Sequence, residues 1–105
     1  MYDLNAIAEE HLAEAHKSPH GRSANLLLRD QPLRQSIIAL TAGTSLDEHN
    51  APPAASLQVL RGAVKVTTAT GEEELTMGAL YLIPPERHGL TAVTDAAVLL
   101  TAVND

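Results

Sequence analysis

Two histidines, His49 and His88, are the residues of this 105-residue chain whose type and setting could support chemistry. Five residues separate Gly43 from His49, and His88 closes a segment that begins at Gly78 and contains Pro84-Pro85. Imidazole nitrogens bind transition metals, and imidazole exchanges a proton near neutral pH. The pair therefore fits either a metal site or a site for an anionic or carbonyl-bearing ligand bound without metal.

Strand geometry predicts which residues would share a pocket with these histidines. Alternate residues of a strand face the same side. If His49 points inward, Ala51 does so too, and Ala55, Leu57 and Val59 share one face of the next strand. We therefore expect a small aliphatic pocket, lined by His49, Ala51, Ala55, Leu57, Val59 and His88. The two alanines offer no ligand to a metal.

No other catalytic constellation is apparent in the sequence. There are no cysteines, which excludes disulfides and thiolate metal sites. The serines lack a nucleophile-elbow context, and there is no phosphate-binding loop or dinucleotide fingerprint. His16 and His20 are spaced to chelate a metal on one helix, but Pro19 between them ends that helix. We interpret the N-terminal histidines as polar surface.

The elements that must position the pocket are a helix followed by many short strands. Residues 3–17 have apolar positions at helical spacing, with Asp3 or Asn5 as the cap and Ser18-Pro19-His20-Gly21 as the stop. We divide the chain into a helical segment, 1–20, and a β domain, 21–105. Apolar runs predict strands at 24–28, 36–42, 55–60, 63–68, 79–83, 89–93 and 96–103, with a further strand ending near Met77.

Two glycines mark turns between these strands. Thr70-Gly71 is predicted to form a hairpin tip, and Gly62 is predicted to form a tight bend between two apolar runs. Short strands at this spacing are typical of an all-β sandwich or barrel. A double-sheet jelly roll is one way to close the strand edges of so small a chain.

Composition excludes several function classes. The net charge is −6 and there is no basic stripe, so nucleic acid is not an expected partner. The chain has two tyrosines and no Phe or Trp, which leaves no aromatic platform for bases. No apolar run is long enough for a membrane span, and no signal peptide is visible. We expect a soluble cytoplasmic protein without membrane contact.

The glycine, histidine and proline spacing resembles the two motifs of the cupin family, over roughly residues 36–102. Those motifs are G-x5-H-x-H-x3or4-E-x6-G and G-x5-P-x-G-x2-H-x3-N. Three further segments are similar to small stand-alone cupins: Gln58–Gly62, Tyr81–His88 and Ala97–Thr101. The resemblance implies an all-β, cupin-like double-sheet jelly-roll β-barrel, here with a short N-terminal helix, and it implies a homodimer.

The chain departs from the family at most ligand positions. Ala51 stands where the motif has its second histidine, Ala55 where it has glutamate, and Glu86 where it has glycine. The resemblance implies a divalent metal (Fe, Mn, Ni, Cu or Zn), but only His49 and His88 remain as motif ligands. Cupins have many activities, so the fold does not fix the function.

Three functions remain open from the sequence. The first is a ligand-binding or sensory module without a catalytic metal, which the two alanines favour. The second is a degenerate metal-dependent enzyme of the dioxygenase or isomerase class that uses His49 and His88. The third is an interaction module that uses the surface of the domain. The expected ligand in the first case is a small molecule.

Overall fold

Over the residues that the structure describes, the fold consists of one helix and nine strands. The computed structural model describes residues 1–49 and 52–104, with Glu48 and His49 described by their backbone alone. The helix is α1 (Leu4–Lys17). The strands are β1 (Arg22–Asp30), β2 (Leu33–Leu40), β3 (Ser45–His49), β4 (Ala54–Arg61), β5 (Ala63–Thr68), β6 (Gly71–Thr76), β7 (Leu80–Leu82), β8 (His88–Ala92) and β9 (Ala96–Val103).

The strands form two antiparallel sheets. One has five strands in the order β1-β2-β9-β4-β7, and the other has four in the order β3-β8-β5-β6. β1 extends one edge of the first sheet. Without it, the spatial order of the strands is β2-β9-β4-β7 in one sheet and β3-β8-β5-β6 in the other. This is the arrangement of a double-sheet jelly roll, as the sequence predicted.

The sheets are not closed into a barrel. All strand pairings in the described residues lie within one sheet or the other, and β1, β7, β3 and β6 are edge strands. The molecule is therefore a sandwich of two open sheets, which corrects the closed barrel expected from the sequence. The physical reason is that, in the described part of the chain, the edge strands of the two sheets share no hydrogen-bonded ladder.

The N-terminal helix was correctly predicted and covers part of the outer face of the five-stranded sheet. Asp3 caps it, with its Oδ1 atom accepting hydrogen bonds from the backbone N–H groups of Asn5 and Ala6. Its small buried residues, Ala8 and Ala15, let the helix approach the sheet closely. They pack against outward residues of β2 and β9: Ile37, Ala39 and Ala97.

Polar contacts hold the helix in place. His16 Nε2 lies 2.7 Å from Asp95 Oδ2, and Asp95 Oδ1 accepts a 2.8 Å hydrogen bond from the backbone N–H of Ala42. His11 Nδ1 lies 2.7 Å from Ser23 Oγ. These two helix histidines therefore join the helix to the β domain. Among the described residues, no helix is long and apolar enough to cross a membrane.

At one end of the sandwich, two of the segments that connect one sheet to the other are in contact. At Gly62 the chain passes from β4 in one sheet to β5 in the other, and at residues 93–95 it passes from β8 to β9. Gly62 has a φ of +71°, and a β-carbon there would lie 2.0 Å from the carbonyl oxygen of Asp95. The predicted bend at Gly62 is present, and it has no room for a side chain.

The predicted strands are present, with two differences. The hairpin between β5 and β6 turns at Ala69-Thr70, immediately before Gly71, close to the predicted tip. The apolar runs did not include β3, although the motif analysis had placed His49 on a strand. They also gave no start for β6, whose residues Glu72-Glu73-Glu74 are exposed.

We predict that Gly62→Ala destabilises the protein by about 3 kcal/mol or more, because it adds a backbone clash to left-handed strain. The matched control is Gly43→Ala. Gly43 also has a positive φ, +84°, but nothing lies within 4 Å of the point that a β-carbon would occupy there. The free energy of unfolding of Gly43→Ala should be lower than that of the native protein by about 1 to 2 kcal/mol. Urea unfolding measures both, and equal losses would contradict the close contact at Gly62.

A second prediction concerns pH. The pKa of Asp95 is lowered by its hydrogen bond from the backbone N–H of Ala42 and then by that from His16. A carboxyl whose folded pKa is lowered stabilises the fold above its unfolded pKa, and this contribution is lost as the pH falls through the folded pKa. Asp95→Asn should therefore be less stable than the native protein at pH 7.

The stability difference between the two proteins should shrink below about pH 5, where Asp95 begins to be protonated in the unfolded chain, and should be lost once the pH falls through the lowered folded pKa. Thermal unfolding between pH 7 and pH 2.5 measures it. Asn keeps an oxygen that can accept from Ala42, so the comparison isolates the charge. A stability difference that stays constant over this range would contradict the assignment.

Candidate functional site

A partly open cavity lies between the two sheets, at the end of the sandwich away from Gly62. Its volume is about 210 Å³. The five-stranded sheet and the loop after β7 contribute Ile38, Leu57, Leu100 and Ile83. The four-stranded sheet contributes Leu46, Val66, His88, Gly89 and Leu90. Among these lining residues, His88 has the one polar side chain.

His88 is the first residue of β8, between β3 and β5. Its side chain is buried, with a relative exposure of 6%. Its Nδ1 atom lies 3.1 Å from the backbone carbonyl oxygen of Glu86. Because a carbonyl oxygen can only accept, Nδ1 carries a proton, and in the neutral ring Nε2 has the lone pair. The Pro-Pro loop thus selects the tautomer of the ring.

His49 is the last residue of β3, and its backbone is the register partner of His88. The ladder is irregular between Leu46 and His49, where β3 has one residue more than β8. The strands therefore bring the two motif histidines to the same level of one sheet. The side chain of His49 and the whole of Ala51 lie outside the described residues.

The three predicted pocket residues of β4 are buried on the inner face of the five-stranded sheet. Leu57 lies in the cavity wall. Ala55 and Val59 belong to the same hydrophobic core but do not line the cavity. The carbonyl oxygen of Ala55 accepts a 3.0 Å hydrogen bond from the N–H of Ile83, which ties β4 to the loop that leads to His88.

The described residues do not provide a metal-binding set. They contain no group of three or more His, Asp or Glu side chains placed to hold one ion. Ala55, at the position where the motif has glutamate, presents a methyl group to the core. Since catalytic zinc sites use three protein ligands, the donors described around His88 do not fit a catalytic metal.

Most of the cavity wall was missed by sequence reasoning. Ile38, Leu46, Val66, Ile83, Gly89, Leu90 and Leu100 were not predicted as site residues. Strand alternation would have found some of them, because Leu57 pairs with Leu100 across β4 and β9, and both side chains face inward. Ile37 and Ile38 are both apolar, however, so alternation alone does not say which of them faces the cavity.

A separate shallow groove lies beside Tyr81, between the β5–β6 hairpin and β7. Thr68, Thr70, Glu72 and Glu73 line it with Tyr81. Partial burial raises the pKa of the Tyr81 phenol, and the carboxylates of Glu73 and Glu86 raise it further. One carboxylate oxygen of Glu86, Oε1, is buried and has no hydrogen-bond partner among the described residues. The groove is mostly polar, and it shares Val66 of its lining with the cavity.

No family model and no curated protein matches the chain. Solved structures do match it. A conserved protein of unknown function from Streptococcus pyogenes has a TM-score of 0.75 and 22% identity, over 84% of this chain and 78% of that one. A cupin superfamily protein from Desulfitobacterium hafniense has a TM-score of 0.74 and 15% identity, over 80% of this chain and 78% of that one.

An enzyme has the same architecture. A salicylate 1,2-dioxygenase from Pseudaminobacter salicylatoxidans has a TM-score of 0.80 and 18% identity, over 97% of this chain and 34% of the enzyme. At this level of identity the likeness concerns the fold alone, and similar folds host different functions. Together with the strand order and the motif spacing, these matches identify the chain as a small protein with the cupin fold.

Proposed function

We propose that the protein binds a small, mostly apolar molecule in the interior cavity, with His88 contacting the single polar group of that molecule. The observation that carries the proposal is the composition of the cavity wall. Eight of the nine lining residues are aliphatic or glycine, and the ninth is a buried histidine. An apolar pocket with few, well-placed polar groups is the usual form of a small-molecule site.

The size of the cavity limits the ligand. An apolar cavity of about 150 Å³ accepts benzene. The present cavity, at about 210 Å³, would therefore hold a molecule of about six to ten non-hydrogen atoms. No aromatic residue is among those that line it. Binding would depend on dispersion and on exclusion of water rather than on ring stacking.

The chemistry of His88 favours a hydroxyl group on the ligand. His88 is the polar side chain of the cavity wall, and an imidazole group can exchange hydrogen bonds with a hydroxyl group of a ligand. A carboxylate would require a protonated ring and would bring a second charge into an apolar cavity, which is costly. The net charge of −6 also disfavours an anion. A compact alcohol or phenol is the class that fits best.

Phenol and toluene are matched probes for this proposal, since they have nearly the same shape and differ by one hydroxyl. His88→Leu should weaken phenol binding by about tenfold, the equivalent of one hydrogen bond, and leave toluene binding unchanged. Leu46→Trp should fill the cavity and prevent binding of both. Calorimetry or NMR titration measures each affinity.

The control is Leu26→Trp, which adds the same side chain at an exposed position of β1. It should bind both probes as the native protein does, and circular dichroism checks that each variant is folded. Failure of the native protein to bind either probe would overturn the proposal. Binding that persists in a folded Leu46→Trp variant would place the ligand elsewhere.

A metal-dependent function of His49 and His88 is the second candidate, and the register between β3 and β8 favours it. Two histidines at one level of adjacent strands are a common basis for a metal site. We infer that this pair could hold Fe, Mn, Ni, Cu or Zn only with ligands from outside the described set. The described donors are too few for a tight site, so no catalytic step is derived through a metal.

Restoring the motif tests this alternative and the alignment together. The double variant Ala51→His, Ala55→Glu should bind Zn²⁺ or Mn²⁺ tightly, because it supplies the missing imidazole and carboxylate. Replacing the glutamate by glutamine should weaken binding at least about tenfold. Elemental analysis and calorimetry measure this. A folded double variant that binds no divalent metal would contradict the cupin alignment of these positions.

The metal content of the native protein should also be measured by elemental analysis. If the metal-dependent function is right, the protein purified without chelator retains a near-stoichiometric divalent metal. His49→Ala should then release the metal while the fold is kept. Metal-free protein that stays empty after metal addition would exclude this candidate and leave the cavity proposal in place.

A further inference from the structure

We propose that Arg29 and Arg34 together bind a phosphate group, either as the free ion or as the phosphate of a small ester. The two residues lie next to each other near the turn of the β1–β2 hairpin, at one edge of the five-stranded sheet. Neither of them lines the cavity. The inference therefore concerns a second site, and it does not depend on the proposed function.

A bulge in β1 brings the two arginines together. The register of β1 against β2 shifts between Leu26 and Leu28, so that β1 has one extra residue and Arg29 becomes the partner of Arg34. In a regular ladder Leu28 would lie opposite Arg34, and Arg29 would face the other side of the sheet. Bulges commonly re-aim a side chain beside a functional site. Here the bulge turns Arg29 toward a second guanidinium group.

The two arginines face the same side of the sheet and lack a carboxylate partner. The β-carbons of register partners lie about 5 Å apart, and like charges at such positions destabilise a sheet. In the described part of the chain neither arginine forms a salt bridge, whereas Lys17, Arg61 and Lys65 each do. The chain has 13 acidic and 7 basic residues, so an unneutralised pair of guanidinium groups is unexpected on stability grounds.

Both guanidinium groups can be reached from solvent. Ile38 of β2 lines the cavity, and Arg34 lies four residues away on the same strand, so the two side chains leave the sheet on the same face. On β1 the residues of this face are all exposed: Arg22, Ala24, Leu26 and Arg29. A ligand can therefore approach the arginine pair without entering the sandwich.

Backbone carbonyl groups of the turn orient Arg34. Its Nη1 atom donates hydrogen bonds to the carbonyl oxygens of Gln31 and Leu33. Gln31 has a φ of +56°, a conformation that costs energy in a residue other than glycine. The Nε and Nη2 groups of Arg34 make no hydrogen bond among the described residues, so they can donate to a ligand. A side chain held in this way loses less entropy when it binds an anion.

Two guanidinium groups match a phosphate better than a carboxylate. A phosphate monoester carries a charge of about −1.5 to −2 at pH 7 and has three strong acceptor oxygens. The planar fork of arginine binds such oxygens in pairs. A carboxylate has one charge and two oxygens, which a single guanidinium satisfies. The net charge of −6 repels anions from the rest of the surface, so anion binding depends on the two arginines.

NMR titration of the native protein with sodium phosphate, at low ionic strength and about pH 7.5, tests the proposal. The backbone amide signals of the β1–β2 hairpin and the arginine Nε signals should shift and saturate. We expect a dissociation constant on the order of 1 mM, because exposed charged contacts are individually weak. Sodium acetate at equal ionic strength should bind at least about tenfold more weakly. Methyl phosphate distinguishes the source: similar affinity assigns the site to phosphate esters, and weaker binding assigns it to the free ion.

Arg29→Gln should raise the phosphate dissociation constant by about tenfold, because it removes one of the two charges and its paired hydrogen bonds. The matched control is Arg22→Gln, which removes the same charge from the same exposed face of β1, opposite Leu40 rather than an arginine. It should change the dissociation constant by less than about twofold. Arg34→Lys keeps the charge but loses the planar fork, and it should weaken binding by about fivefold. Circular dichroism checks that each variant is folded.

Stability without ligand provides a second readout. Arg29→Gln should unfold at a higher temperature than the native protein in phosphate-free buffer, because it relieves the repulsion with Arg34. Phosphate should then raise the unfolding temperature of the native protein more than that of the variant. Absence of saturable shifts at about 20 mM phosphate would overturn the proposal. So would equal weakening by Arg22→Gln and Arg29→Gln, or acetate binding as tight as phosphate binding. Arg29→Gln should bind phenol as the native protein does, so the two proposals fail separately.

Discussion

The contact between Gly62 and the carbonyl of Asp95 determines how the two sheets meet. Two of the chain crossings between the sheets, at Gly62 and at residues 93–95, meet at this point and leave no space for a side chain at position 62. The backbone N–H of Ala63 reinforces the contact by donating to Thr94 Oγ1. Side chains near the crossings are almost fully buried: Val59, Val64, Ala92, Ala96 and Val98. The sandwich is therefore tightly packed at this end, and the cavity lies at the other end.

The cavity follows from the difference in packing between the two ends of the sandwich and from the lack of large aromatic side chains in the chain. The chain crossings are in close contact at Gly62, and farther along the same strands Val66, Leu57 and Leu100 line the cavity. Packing density in protein interiors leaves few voids when large side chains are available. This chain has no Phe or Trp. Aliphatic side chains fill this end of the sandwich incompletely, and the space that remains adjoins the buried ring of His88.

Sequence reasoning predicted the helix, most strands, the bend at Gly62 and the cupin fold, because turn residues and helical periodicity are local signals. It did not predict that the sheets stay open, since closure depends on which distant edges meet. It also missed most of the cavity wall. The outer face of the five-stranded sheet lies partly under α1, so both faces of β2 are apolar, and Ile37 and Ile38 look equivalent in the sequence.

The strand order has a consequence for synthesis of the protein. β9 lies in the middle of the five-stranded sheet and β8 in an interior position of the four-stranded one, although they follow all the other strands in the chain. Until residues 88–103 have left the ribosome, β2 and β4 have no common neighbour, and β3 and β5 have none either. The β1–β2, β4–β7 and β5–β6 pairs can form earlier, but neither sheet can be completed until late in translation, so apolar strand surface stays exposed for longer in the nascent chain.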